Sequence, residues 1–239
     1  SVVFGLFVLA AQPAAAALLF SEPFDGDSQF TSSSGLFSDG SFDFFGIAGT
    51  GTPDFDGDPV PSGLKSYTGF DGTFLTGMDL NGEGATLPIE VEWTGIDISG
   101  LPGLEFSGLF AEFFDSPGDI DSDDFVLLEH QIDNGGYQTL IDFRLDENEP
   151  DNLNGVFRED TDQSGRGDGE ILTNAAKLFT KSIVGTGSSL DLRLVVRVDS
   201  GDEDFAVDSF AITVFPEPGT TALLVVGAIM AVGVKQRWR

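Results

Sequence analysis

The segment Leu190-Asp191-Leu192-Arg193-Leu194-Val195-Val196-Arg197-Val198 alternates its side chains with a period of two. This period is typical of a β-strand, in which successive side chains point to opposite faces of the sheet. One face, formed by the even-numbered residues, is entirely apolar, whereas the other carries the charged groups of Asp191, Arg193 and Arg197. The segment therefore predicts a strand in a sheet that covers a core with one face and meets solvent with the other.

Similar segments recur through the body at short intervals, separated by turn residues such as Asn134-Gly135-Gly136. Asn and Gly tolerate the positive φ that tight hairpins require. About ten short strands of this kind predict an all-β fold, a two-sheet antiparallel β-sandwich of the jelly-roll, lectin-like type, with a closed barrel as the alternative. Leu172–Leu178 is the one body segment compatible with a helical turn, and Phe42, Phe44 and Phe45 are expected to be buried.

The composition excludes several classes of function. Forty acidic residues against eleven basic ones give the 239-residue chain a formal charge of −29, which repels nucleic-acid backbones. The 23 Phe residues favour a packed core over disorder. With no Cys, the chain has no disulfide, thiolate metal site or Cys nucleophile.

The N-terminal residues have the pattern of a secretory signal peptide. An uncharged apolar run from Val2 to Ala11 precedes the small residues Ala14–Ala17, which suit a signal-peptidase cleavage region. We therefore assign residues 1–17 to a signal peptide and 18–215 to the sandwich domain. Because the run lacks Met and a basic leading segment, we expect the start of this peptide to be missing from the sequence.

The C-terminal residues 216–239 form a third region. Pro216-Glu217-Pro218 precedes an apolar run, Thr220–Val234, and the basic residues Lys235, Arg237 and Arg239 follow. As a helix the run would measure about 22 Å at 1.5 Å per residue, short of a hydrocarbon core of roughly 30 Å. Basic side chains can extend such a span by snorkelling, and the positive-inside rule would keep them cytoplasmic.

The Pro-Glu-Pro motif, the apolar run and the basic residues of this C-terminal region, in this order, resemble the PEP-CTERM sorting signal. The resemblance implies processing by an exosortase near Pro216–Pro218, after transient anchoring in the membrane through the C-terminal helix. It also implies export across the inner membrane to the cell envelope, outer surface or extracellular matrix, in the context of exopolysaccharide and biofilm. The body resembles the lectin-like sandwich domains of other exported bacterial proteins.

Two groups of carboxylates suggest structural Ca²⁺. Asp160, Asp162 and Asp168 alternate with flexible residues on a Gly-bearing loop, and such spacing can wrap oxygen ligands around one ion. The twelfth position of this loop is Ile171, with Glu170 adjacent, so the closing Glu of an EF-hand is absent. The alternative is a solvated acidic loop.

The second group is Glu22, Asp25 and Asp208. The segment Phe205–Phe210 resembles the last strand of carbohydrate-binding sandwich modules, in which the first and last strands run side by side. That resemblance implies a structural calcium between Glu22 and Asp25 at the first strand and Asp208 in the last. An apolar strand has little reason to hold Asp208 unless its carboxylate is satisfied. The alternative is an Asp208 that faces water or caps a turn.

The sequence contains only weak indications of a catalytic site. The single histidine, His130, lies within a predicted strand, and no Ser stands in a G-x-S-x-G elbow. Glu112, Asp124 and Glu129 lack the spacing of paired glycosidase carboxylates. The sequence therefore predicts an exported, non-enzymatic envelope or matrix protein stabilised by calcium. The alternative is a carbohydrate-binding module with Trp93 and Tyr137 as stacking rings, and a secreted glycoside hydrolase ranks third.

Overall fold

The computed structural model describes residues 16–25, 29–49, 60–113, 120–148 and 155–215. Within these ranges the chain forms thirteen β-strands and no helix. They are β1 (Ala17–Glu22), β2 (Thr31–Ser32), β3 (Phe37–Ser38), β4 (Phe44–Gly49), β5 (Thr73–Met78), β6 (Ile89–Asp97), β7 (Leu104–Ala111), β8 (Phe125–Ile132), β9 (Gln138–Leu145), β10 (Phe157–Glu159), β11 (Lys177–Ile183), β12 (Ser189–Arg197) and β13 (Asp204–Val214). In this part of the chain, accordingly, no helix has the length and hydrophobicity that crossing a membrane requires.

The strands form two antiparallel sheets. The seven-stranded sheet has the order β11-β7-β13-β5-β4-β3, with β1 paired to β13, and the six-stranded sheet has the order β10-β9-β8-β12-β6-β2. From β5 onward the chain repeatedly crosses from one sheet to the other, as in a jelly roll. The predicted two-sheet β-sandwich is confirmed, and the barrel alternative is wrong because the sheets remain separate.

The core lies between the sheets and is built by the predicted alternation. In β12 the side chains of Leu190, Leu192, Leu194 and Val196 are fully buried, as predicted. Phe210 of β13 is also fully buried, and its ring contacts four other aromatic rings at centroid distances of 5.2–5.6 Å. Large aromatic rings bury the most apolar area per residue, so this cluster stabilises the contact between the two sheets.

A β-bulge interrupts β13 between Asp208 and Ala211. Ser209 has φ 54°. The extra residue in the bulge shifts by one position the set of side chains that face the core. Val207 and Phe210 therefore both face the core although they are three residues apart. The side chain of Asp208, next to the bulge, is fully buried.

The outer face of the seven-stranded sheet is covered as well. Tyr67 and Phe70, in the segment before β5, pack with Phe44 and Phe74 into a second apolar cluster. This cover explains why both Phe44 and Phe45 are buried, one on each face of β4. The prediction for Phe42 is wrong, because it precedes the strand and remains 46% exposed.

The expected helical turn at Leu172–Leu178 is also wrong. Leu172 is buried in the core, and its N–H donates to the Phe157 carbonyl oxygen at 2.9 Å. The chain then continues irregularly into β11, which begins at Lys177. Long-range backbone pairing thus replaces the local i→i+4 bonds that a helix would need.

Candidate metal centres and polar surfaces

The loop after β10 brings three predicted carboxylates together. Ligand oxygens of Asp160, Asp162 and Asp168 all lie within 4.8 Å of one another. Asp160 is only 5% exposed, and its two oxygens accept N–H bonds from Ser164 at 3.0 Å and Gly165 at 2.7 Å. Gly165 has φ +87°, a left-handed conformation that glycine adopts without steric cost. The backbone thus wraps around Asp160 and turns the other carboxylates toward it.

Asp168 is held at this point by Thr161. The Thr161 N–H and hydroxyl both donate to Asp168, at 2.8 and 2.9 Å. These hydrogen bonds lower the pKa of Asp168 below its ordinary value, which keeps the carboxylate ionised and suited to bind a cation. Glu170, beside the twelfth position, forms an ion pair with Lys177. Calcium binding at this loop stays a prediction.

The first and last strands lie side by side, as the resemblance implied. β1 pairs antiparallel with β13, and Glu22 is opposite Phe210. However, the buried Glu22 carboxylate turns toward the core and accepts three N–H bonds. They come from Phe24 at 2.9 Å, Gln29 at 2.9 Å and the Trp93 indole at 3.1 Å. Both of its oxygens are therefore engaged by the protein.

Asp25 and Asp208 lie near each other without Glu22 between them. Asp25 accepts from the Thr73 N–H at 3.2 Å, and Asp208 accepts from the Ser209 N–H at 2.5 Å. Burial, reinforced by the negative charge of Asp25, raises the pKa of Asp208 to about 7. Among the described residues, Glu22, Asp25 and Asp208 do not form a group of converging ligand atoms. Calcium at this position stays a prediction.

A third group of carboxylates was not predicted as one site. Ligand atoms of Asp121, Asp124 and Glu203 also lie within 4.8 Å of one another. The sequence shows two separate acidic stretches, and their local spacing gives no reason to pair them. The signal that connects them is the pairing of β8 with β12, which only the topology supplies.

The outer face of the six-stranded sheet is polar and ordered by ion pairs. Arg193 of β12 binds Glu129 at 2.7 Å, and its guanidinium lies 3.8 Å from the centroid of the Tyr137 ring. The Tyr137 hydroxyl donates to Glu92 at 3.1 Å. Burial, together with this bond to a carboxylate, raises the pKa of Tyr137 to about 12. The face therefore presents a half-exposed ring within a network of donors and acceptors.

Trp93 does not offer a stacking surface. It is 1% exposed, packs edge-on against Phe24 and donates its indole N–H to Glu22. A pocket of about 280 Å³ lies beside it, between β1 and β6. Its lining includes Leu19, Phe20, Gln29, Thr94 and Asp97. Of the two rings considered for sugar stacking, Tyr137 is thus the more exposed.

The carboxylates considered for hydrolysis occupy different surroundings. Glu112 is 2% exposed and accepts the Phe157 N–H at 2.7 Å, and burial raises its pKa well above the ordinary value. Glu129 lies on the outer face with Arg193, and Asp124 belongs to the third acidic group. His130 is 5% exposed within the sandwich, where burial lowers its pKa.

Comparison with known proteins gives distant structural similarity only. A scan of protein-family models finds no match, and neither does a search of curated proteins. One similar solved structure is the CBM22-1 xylan-binding domain of Paenibacillus barcinonensis Xyn10C, with TM-score 0.40 and 15% identity over 86% of this chain and 98% of that one. Another is the C-terminal family 22 carbohydrate-binding module of Clostridium thermocellum Xyn10B, with TM-score 0.41 and 13% identity over 87% and 99%.

A third similar structure is the K3 cleaved adhesin domain of Lys-gingipain from Porphyromonas gingivalis W83. Its TM-score is 0.42, with 11% identity over 82% of this chain and 99% of that one. Similarity at this level carries no argument about function, so the assignment of this chain rests on its own residues. The sorting motif Pro216, Glu217 and Pro218, and the basic tail Lys235, Arg237 and Arg239, lie outside the described residues, as does most of the proposed signal peptide.

Proposed function

We propose that this chain is an exported, non-enzymatic protein of the cell envelope or extracellular matrix, whose sandwich domain is stabilised by calcium. The observation that carries the calcium binding in this proposal is the convergence of Asp160, Asp162 and Asp168 within 4.8 Å on a loop that turns at Gly165. Calcium takes six to eight hard oxygen ligands, and clustered carboxylates on such a loop supply several of them. Calcium outside the cell would then hold the β10–β11 connection to the sheets.

The test compares melting temperatures in calcium and in chelator. A ligand that binds only the folded state stabilises it by mass action, so calcium should raise the melting temperature of the parent. Asp162→Asn should reduce this gain because it removes one charged ligand, and its side chain is exposed and contributes to the loop by accepting the Ser164 N–H at 3.0 Å. Glu147→Gln, an exposed change of the same charge outside the loop, is the matched control. An equal calcium gain in the parent and in Asp162→Asn would contradict calcium at this loop.

Export and sorting require a separate experiment. The proposal assigns sorting to residues 216–239 and processing to an exosortase, on the sequence order of Pro216-Glu217-Pro218, apolar run and basic tail. Deleting these residues should release the protein freely into the medium, because the protein then lacks the helix that anchors it in the membrane before processing. Unchanged membrane retention of the deletion variant, measured by cell fractionation, would contradict the assignment.

Polysaccharide binding is the second candidate, and the Tyr137–Arg193 arrangement favours it. Aromatic rings pack against sugar C–H groups, and neighbouring carboxylates and guanidinium groups can bind hydroxyls. In a glycan array the parent should retain an acidic or neutral exopolysaccharide fragment, and Tyr137→Ala should weaken retention at least tenfold. Leu178→Ala, an exposed apolar change on the opposite sheet, is the control. No retention by the parent at millimolar concentration would contradict this candidate.

A further inference from the structure

Two loops that are distant in sequence meet at one end of the sandwich. β8 and β12 are antiparallel neighbours, and Phe125, at the start of β8, is paired with Arg197, at the end of β12. The segment that enters β8 therefore lies beside the segment that leaves β12. This register brings Asp121 and Asp124 of the first loop to Glu203 of the second.

Backbone N–H groups of the two loops hold these carboxylates in place. Asp124 is 1% exposed, and its Oδ2 accepts the Asp121 N–H at 2.7 Å. Glu203 is 3% exposed, and its Oε2 accepts the N–H groups of Asp199 at 2.6 Å and Ser200 at 2.8 Å. Each loop thus orients its own carboxylate, and ligand atoms of all three residues lie within 4.8 Å of one another.

One oxygen in this group points to a missing ligand. Asp124 Oδ1 is buried and has no hydrogen-bond partner. A buried polar atom without a partner costs about 1–3 kcal/mol, and a carboxylate oxygen costs more. Such atoms are rare in folded proteins and call for a specific explanation, such as a bound ion. Here the unpartnered atom belongs to the most buried member of a converging set.

The neighbouring arginine forms its ion pairs with residues outside this group. The Arg197 guanidinium forms its ion pairs with Asp123 and with Asp199, the latter at 2.9 Å. The full set of negative charges is therefore unfavourable unless a further cation lies between them.

We propose that Asp121, Asp124 and Glu203 bind one calcium ion, which joins the loop before β8 to the loop after β12. The donor set consists of carboxylate oxygens only, and hard cations such as Ca²⁺ prefer this set. Softer metals have no ligand here, because the chain contains no Cys and its single His lies within β8. This ion would fasten the end of the sandwich where the β8 and β12 loops meet.

The experiment measures calcium binding to the full chain by isothermal titration calorimetry, after removal of metal with a chelator. Asp124→Asn and Glu203→Gln should each bind one calcium fewer than the parent, or bind it at least tenfold more weakly. Asp202→Asn is the matched control, because it removes the same charge from an exposed position in the same loop and should bind as the parent does. Asp162→Asn separates this site from the Asp160 loop, since its effect and that of Asp124→Asn should add.

The melting temperature, measured in chelator and in calcium, provides a second readout. A purely structural role of these carboxylates would not make the effect of a substitution depend on calcium. Without calcium, Asp124→Asn should melt no lower than the parent, because it removes a buried charge; with calcium, the parent should melt higher. If Asp124→Asn fails to fold, Asp121→Asn, at a half-buried position, tests the same site. Parent-like calcium stoichiometry and affinity in these variants, or no calcium binding by the parent, would overturn the proposal.

Discussion

The buried carboxylate of Glu22 offers a sharp test of how the first strand is held to the core. It accepts three N–H bonds, from Phe24, Gln29 and the Trp93 indole, and it is 1% exposed. Glu22→Gln preserves the shape of the side chain but replaces one acceptor oxygen by an NH₂ group. That group has no acceptor among these three partners, so at least one buried N–H loses its bond.

The expected decrease in the free energy of unfolding follows from the loss of these hydrogen bonds. One unsatisfied buried N–H costs about 1–3 kcal/mol, and the remaining bonds lose the additional strength that a charged acceptor gives. We therefore expect the free energy of unfolding to fall by about 3 kcal/mol. For a domain of this size, 1 kcal/mol corresponds to about 2–4 °C, so the melting temperature should fall by about 6–12 °C.

The assay is urea unfolding in chelator, which removes any contribution of calcium to the difference. Glu90→Gln on β6 is the control. The Glu90 side chain is 40% exposed and lies 3.5 Å from Arg193, so its loss should change stability by no more than about 0.5 kcal/mol. A destabilisation below about 1 kcal/mol for Glu22→Gln would refute the reasoning. A large loss that appears only in calcium would instead support Glu22 as a metal ligand.

Three further predictions concern the core and its titratable groups. Phe210→Ala removes a ring packed against four others and should lower the free energy of unfolding by about 3–5 kcal/mol, measured in urea. Because burial lowers the pKa of His130 below 6.5, the NMR titration of this single histidine should have its midpoint below that value, and the folded protein should lose stability as the pH falls below about 6.5. Burial raises the pKa of Asp142 from 3.8 to about 6, so its favourable contribution is present below pH 3.8 and is lost as the pH rises through 6. Asp142→Asn should therefore gain up to about 3 kcal/mol on the parent between pH 4 and pH 7, measured by urea unfolding at each pH.

Each of these predictions has an outcome that contradicts it. A loss below about 1 kcal/mol for Phe210→Ala would mean that the aromatic cluster relaxes around the gap. A His130 midpoint at or above 6.5 would show that the imidazole is solvated. A constant difference between Asp142→Asn and the parent from pH 4 to pH 7 would show that Asp142 titrates normally.

The sandwich could be predicted because the alternation that indicates each strand is a local property of the sequence. In β12 the alternation of Leu192 with Arg193 specifies both the strand and its inward face, whatever the neighbouring strands are. The bulge in β13 also left a local trace, since Val207 and Phe210 are three positions apart in an otherwise alternating strand. That irregular step was available in the sequence as a signal for the bulge.

The rest depends on contacts between distant segments. Nothing near Phe44 indicates that Tyr67 and Phe70 cover the outer face of its strand. Likewise, Asp124 and Glu203 meet only because β8 and β12 are neighbours, and strand order is not encoded in the period of either strand. The Asp160 cluster was predictable for the opposite reason, because its ligands lie on one short loop.

The pairing of β1 with β13 has a mechanical consequence. Ala17 is opposite Val214, so the chain enters and leaves the domain at the same place. Tension applied between these two points would pull apart two strand ends that lie side by side. It would break their backbone bonds one after another, starting at Ala17, rather than all at once. A protein tethered at both ends would therefore release its first strand at low force.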